Sequence, residues 1–220
     1  MFRFLIVEDK LLEMLVGYLA KWFDGSNSDS AATVEDGLKL IRSASSEKRP
    51  YDAAILDLKL PMRAGVHPEI DDSLCREIQA IMSSTLVIHV TGYPTDPKVL
   101  DHLEAYHGGR NDPRSVIVNK GNTNWVDNLR TKAKARLYGD LIEQQIEDLF
   151  GSRARAAHAG LNMRTHRPSS ERTSITMALS TLFGTIVAHW GDIDESQKER
   201  IRQTFHVDES KTPIQITMPS

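Results

Sequence analysis

Apolar and polar positions divide the chain in two. In the first part short apolar runs alternate with helical stripes, and in the second only stripes dominate. Phe2 to Val7 is an apolar run of strand length that ends in the acid pair Glu8-Asp9. Leu11, Leu12, Leu15, Leu19 and Trp22 then recur at helical spacing, and Asp24-Gly25-Ser26-Asn27 supplies turn chemistry to end that helix at about Phe23. The pattern predicts a short strand near Ala31–Val34 and a helix through Leu38 and Ile41. Ala53-Ala54-Ile55-Leu56 reads as a fully buried strand with a lone carboxylate, Asp57, at its end. Thr85 to Val90 delivers Thr91-Gly92, and Ser115 to Val118 delivers Asn119-Lys120. Strands alternating with helices five times predict an α/β fold, a parallel sheet covered on both faces.

The strand ends of a parallel sheet share one edge, where open α/β sheets place their ligands. Glu8, Asp9, Asp57, Thr91 and Lys120 are therefore expected to converge there. Three carboxylates held together resist ionising unless a cation joins them. Mg²⁺ suits them, because it takes a few carboxylates plus waters and phosphate oxygens. A lysine adds a fixed positive charge, and a hydroxyl adds a hydrogen-bond donor for a phosphoryl oxygen. Asp57 then has the surroundings of a nucleophile toward a phosphoryl donor.

On these residues, with Pro61 and Gly65 at the expected spacing after Asp57, residues 1–136 resemble the receiver domain of two-component response regulators. The resemblance implies a flavodoxin-like five-stranded parallel sheet with Asp57 as phospho-acceptor, Thr91 as switch hydroxyl and Lys120 as the cation that offsets the transferred charge. It implies a Mg²⁺ site made by Asp9 and Asp57, with Glu8 beside them and Lys59 offering its backbone carbonyl. It also implies a histidine kinase or phosphotransfer protein as partner, a cytoplasmic location, and no enzymatic activity beyond self-phosphorylation and dephosphorylation. Four features depart from the family. Gly121 follows the lysine where proline is usual, and Ile117 stands where an aromatic ring normally reports the switch. Extra residues occupy Val66–Asp72 and the stretch before Ser115, His107–Arg114.

Residues 137–220 are predicted to form a small, mostly helical output or dimerisation region. An apolar stripe from Trp125 through Leu129, Ala133, Leu137, Leu141, Ile146 and Leu149 extends the last receiver helix, with Gly139 as a joint. The stripe suggests a homodimer through that helix. Gly151–Thr173 is basic and reads as a solvated linker. Ile175, Leu179, Leu182, Phe183, Ile186, Val187 and Trp190 then give a strong helical face. Gly191–Asp194 turns the chain into a charged helix, Glu195–Phe205, and Pro213–Met218 reads as a terminal strand or tail. No output family is recognisable. The function expected is phosphorylation of Asp57 that switches the protein contacts of this region. The alternative is a DNA-binding transcription regulator, disfavoured by the acids near the start of the last helix.

Composition adds bounds. The chain has 220 residues, is 40% apolar and 26% charged, and carries a formal charge of −3, which argues neither for nor against nucleic acid. A single cysteine, Cys75, rules out an internal disulfide and reads as a small apolar helix residue. His67, His102 and His107 stand at no ligand spacing and are expected on the surface. Glu8-Asp9 interrupts any signal-peptide core, so none is expected. Ser174–Trp190 lacks charged residues but falls short of the roughly 20 apolar residues of a membrane span and contains several Ser and Thr, so no membrane role is expected.

Overall fold

The structure, a computed structural model, describes residues 1–107, 115–158 and 169–218. It divides into two units, residues 1–133 and 134–220.

In the first unit the elements run β1 (Arg3–Val7), α1 (Leu12–Trp22), β2 (Asn27–Ala31), α2 (Val34–Ser46), β3 (Ala53–Asp57), β4 (Lys59–Leu60), β5 (Glu69–Ile70), α3 (Ser73–Ile81), β6 (Leu86–Thr91), α4 (Pro97–His107) and β7 (Ser115–Asn119). The helix α5 (Trp125–His158) begins here. Five strands form one sheet in the order β2-β1-β3-β6-β7, and every pairing is parallel. Setting aside the β4–β5 hairpin, this is the 2-1-3-4-5 order of the flavodoxin-like fold, whose crevice opens between the first and third strands.

The three central strands are mostly apolar because both of their faces are covered. Leu5, Val7, Ala54 and Leu56 point into a core shared with Ile41 of α2 and with Leu74 and Ile78 of α3. Phe4, one residue out of step, faces the other way and meets Phe23 at 5.1 Å between ring centroids. The second strand differs from expectation: it is Asn27–Ala31, not Ala31–Val34. Only its Ala31 is buried and the rest of it is polar, so hydrophobic periodicity passes over it. Thr33 instead caps α2, its hydroxyl accepting from the Asp36 amide at 3.2 Å.

In the second unit, the rest of α5 joins α6 (Ser169–His189), α7 (Glu195–Thr204) and a hairpin of β8 (His206–Asp208) and β9 (Gln215–Thr217). Ile142, Leu182, Ile186, Ile193, Ile201 and Phe205 form its core. Of the terminal strand or tail expected over Pro213–Met218, Gln215–Thr217 is a paired strand. Asp194 caps α7 in a reciprocal capping box with Gln197.

Three expectations change. Gly139 is no joint: α5 runs through it unbroken, and a Cβ there would lie 1.6 Å from Nε2 of the buried Gln197. The residue is glycine because a side chain from α7 occupies its space. The stripe expected to pair two copies is spent largely inside the chain: Leu129, Ala133 and Ile142 are buried, and Ile146 and Leu149 pack on the second core. The linker expected over Gly151–Thr173 is helical at both ends, α5 reaching His158 and α6 starting at Ser169. Residues 159–168 lie outside the described residues. Among the described residues, no helix is long and apolar enough to cross a membrane.

Candidate functional site

The carboxyl ends of β1, β3, β6 and β7 meet at one edge of the sheet, and a crevice of about 540 Å³ opens there. Glu8 and Asp9 follow β1, Asp57 ends β3, Thr91 ends β6 and Lys120 follows β7. Oxygens of Glu8, Asp9 and Asp57 lie within 4.8 Å of one another, close enough to share a metal ion. Four of the residues singled out in the sequence, Glu8, Asp9, Asp57 and Lys120, line the crevice, while Thr91 is buried at the end of β6 and the two residues after it, Gly92 and Tyr93, line the wall.

Their environments differ. Glu8 is buried, and its Oε1 accepts from the amides of Lys10 (3.1 Å) and Leu11 (3.3 Å). Its Oε2 accepts from Lys120 Nζ at 2.9 Å. The same ammonium donates to Asp57 Oδ2 at 2.7 Å, while Asp57 Oδ1 accepts from the Lys59 amide at 3.2 Å. Among the described residues, no group donates a hydrogen bond to the Asp9 carboxylate. Glu8 is thus held by protein donors, whereas Asp9 keeps its lone pairs available.

The electrostatics follow from this sharing. Burial pushes the Asp57 carboxyl above its ordinary value, and the Glu8 charge adds to that, outweighing the opposing pull of Lys120 and of the Lys59 amide. Burial works to lower the Lys120 ammonium, but its bonds to Asp57 and Glu8 together hold it above its ordinary value. The two partners of one ion pair therefore move in the same direction. Lys120 gains from two anions, while Asp57 has only a share of one cation, a deficit that leaves its burial unbalanced. Such a deficit of positive charge is what a bound cation relieves, and an all-oxygen donor set suits a hard one.

Thr91 is fully buried, its Oγ1 accepting from the Tyr93 amide at 3.0 Å. Lys59 Nζ lies 5.0 Å above the Tyr93 ring. Ile117 packs with Leu58, Ile70, Val99 and Leu103 in a small cluster, so no ring stands behind Thr91 at that position. In place of proline after Lys120, the loop is fixed by the Lys120 amide donating to Thr91 O (2.8 Å) and the Gly121 amide donating to Asn119 Oδ1 (2.8 Å).

Two features escaped the sequence. Glu69–Ile70, among the extra residues after Gly65, pairs antiparallel with Lys59–Leu60, and this β4–β5 hairpin brings His67 and Pro68 to the wall of the crevice. Nothing in their spacing signals this, since it depends on how the hairpin folds back. His102 is not on the surface but buried with His89 against Cys75, on a cluster remote in sequence. The stretch 108–114 and the side chain of His107 lie outside the described residues.

No protein-family model matches the sequence, and no curated protein matches it. Among solved structures, neighbours of the N-terminal part are receiver domains of response regulators. The strand order of the first unit is that of the flavodoxin-like fold. One such neighbour is the signal receiver domain of a DNA-binding response regulator from Colwellia psychrerythraea, 24% identical, covering 58% of this chain and 94% of that one, with a TM-score of 0.41. Another is the receiver domain of the sensor histidine kinase PA1611 from Pseudomonas aeruginosa, which holds magnesium in its active-site cleft. It is 22% identical, covers 60% and 93%, and has a TM-score of 0.42. A fusion bearing the yeast Spc42 trimeric coiled coil is 23% identical, covers 73% and 91%, and has a TM-score of 0.49. At such identities none of them assigns a function to this chain, for which only its own side chains speak.

Proposed function

We propose that residues 1–136 act as a phosphoryl-accepting receiver and that residues 137–220 carry its output. The observation that supports this best is the Lys120 ammonium bridging Asp57 and Glu8 while the Asp9 carboxylate stays unengaged. Asp57 is the nucleophile: a carboxylate oxygen attacks phosphorus as the donor's P–N bond breaks, and the electron pair leaves with the imidazole of a histidine kinase or phosphotransfer partner. Lys120 stays beside the acceptor and offsets the charge that arrives with the phosphoryl group. Thr91 donates its hydroxyl proton to a phosphoryl oxygen. Asp9 and Asp57, with the Lys59 carbonyl and Glu8 alongside, would hold Mg²⁺, which when bound neutralises phosphoryl oxygens. The work of the chain is thus signalling in the cytoplasm, with no substrate turned over beyond gain and loss of its own phosphate.

For the output, a protein partner fits better than DNA. Basic side chains of α7 are engaged by acids: Arg200 with Glu143 at 2.9 Å, and Arg202 with Glu195 at 2.6 Å and Glu209 at 2.9 Å. Cations so paired give little field for a phosphate backbone. Incubation with Mg²⁺ and a small phosphoryl donor should yield an acyl phosphate that hydroxylamine removes. A DNA titration at two salt concentrations should show no steep salt slope. No acyl phosphate would sink the receiver reading, and tight, salt-sensitive DNA binding would sink the output reading.

A further inference from the structure

Away from the crevice, three metal-ligating side chains meet inside the first unit. Cys75 comes from α3, His89 from β6 and His102 from α4. All are buried, at 2%, 0% and 6% exposure. Cys75 Sγ lies 3.5 Å from His102 Nε2 and 3.8 Å from His89 Nε2. The imidazole rings stand nearly perpendicular, at 85° with centroids 5.4 Å apart, so that both Nε2 atoms turn toward the one sulfur. The three donor atoms all lie within 4.8 Å of one another.

We propose that Cys75, His89 and His102 form a binding site for a zinc-class divalent cation. With metal–sulfur and metal–nitrogen bonds of about 2.3 and 2.0–2.1 Å, tetrahedral coordination sets sulfur–nitrogen separations of about 3.5 Å. The observed 3.5 and 3.8 Å need only slight closure. The donor set decides the class of ion: one soft thiolate and two imidazoles select zinc over magnesium, which the oxygen cluster suits. A neutral thiol has a single proton to share between two imidazoles, whereas one cation engages a lone pair of all three. Charge also balances. A divalent ion with one thiolate leaves a single positive charge, and the carboxylates of Asp72 and Asp71 act on both Cys75 and His102. The ion would join α3 and α4 to the strand that carries Thr91 two residues beyond His89.

The test uses the full chain with excess Mg²⁺ present to occupy the oxygen cluster. Zinc titration should give one tight equivalent per chain and a higher unfolding temperature. Co²⁺ should produce a thiolate-to-metal charge-transfer band together with tetrahedral d–d bands, both removed by zinc. Cys75→Ala, which keeps a small apolar residue in the core, should lose the band and weaken zinc binding by more than about 100-fold. His102→Ala should weaken it similarly. Absence of the charge-transfer band in the unaltered protein overturns the proposal without relying on any variant. Zinc binding unchanged in Cys75→Ala, or abolished by Asp9→Asn, overturns it as well.

Discussion

The backbone amide of Tyr93 donates to Oγ1 of Thr91 at 3.0 Å. That bond uses an acceptor lone pair and leaves the hydroxyl proton free to donate. On the proposed function that proton would go to a phosphoryl oxygen on Asp57 while Thr91 stays tied to Tyr93, so displacement of one would move the other. Ile117 is stiff at its first torsion and locked among Leu58, Val99 and Leu103, so it has no ring to swing into space that opens behind Thr91. Amide exchange with and without beryllofluoride should change over Thr91–Thr95, and Ile117→Tyr should alter that response only slightly. A response confined to α1 would contradict this route.

The acid pair is unequal. Glu8 already accepts three hydrogen bonds, whereas Asp9 accepts none from the described residues. Asp9→Asn should weaken Mg²⁺ binding by about tenfold or more, a loss of about 1.4 kcal/mol. Glu8→Gln should weaken it less and should instead lower the unfolding temperature, because it leaves Lys120 with one anion fewer. Equal metal affinities by titration would show that the roles are divided otherwise.

Asp57 also sets a pH dependence. Its carboxyl is raised in the folded state by burial and by Glu8. For a raised group, the stability it contributes is fully present below the unfolded-state value, near 3.8, and is lost as pH rises through the folded-state value. At neutral pH without metal the ionised Asp57 is therefore a net cost. Asp57→Asn should unfold about 2–4 °C higher than the unaltered protein in chelator, the scale of a change of about 1 kcal/mol in a chain of this size. Adding Mg²⁺ should reverse the order by stabilising the protein that keeps Asp57. A variant less stable than the parent in chelator at pH 7 contradicts this balance of charges.

In the second unit, Gly139→Ala should destabilise by about 1–3 kcal/mol despite the better helix propensity of alanine. Its Cβ would displace Gln197, whose Oε1 accepts from the Asp194 amide at 3.2 Å in the capping box of α7. Thermal unfolding measures it. A stability gain would mean that Gln197 moves aside at no cost.

What the sequence made legible follows from local rules. The strands β1, β3, β6 and β7 announce themselves because their covered faces demand largely apolar runs, and those runs point to Glu8, Asp9, Asp57, Thr91 and Lys120. β2 escaped because only Ala31 of Asn27–Ala31 is buried, so the strand tolerates polar residues. The role of Gly139 escaped because its reason, Gln197, lies 58 residues further along and on another helix. Cys75, His89 and His102 share no spacing signal for the same cause: three elements bring them together, and no local motif spans such a distance. His67 reached the crevice through a hairpin whose strands, Lys59–Leu60 and Glu69–Ile70, are too short to leave a periodic trace.

The central claim concerns one covalent bond, and intact-mass measurement reads it directly. After incubation with Mg²⁺ and a small phosphoryl donor, the unaltered chain should gain a single phosphate, and Asp57→Asn, treated alike, should gain none. A phosphate that persists in the Asp57→Asn protein, or one that never appears on the unaltered chain, contradicts the assignment of Asp57 as acceptor.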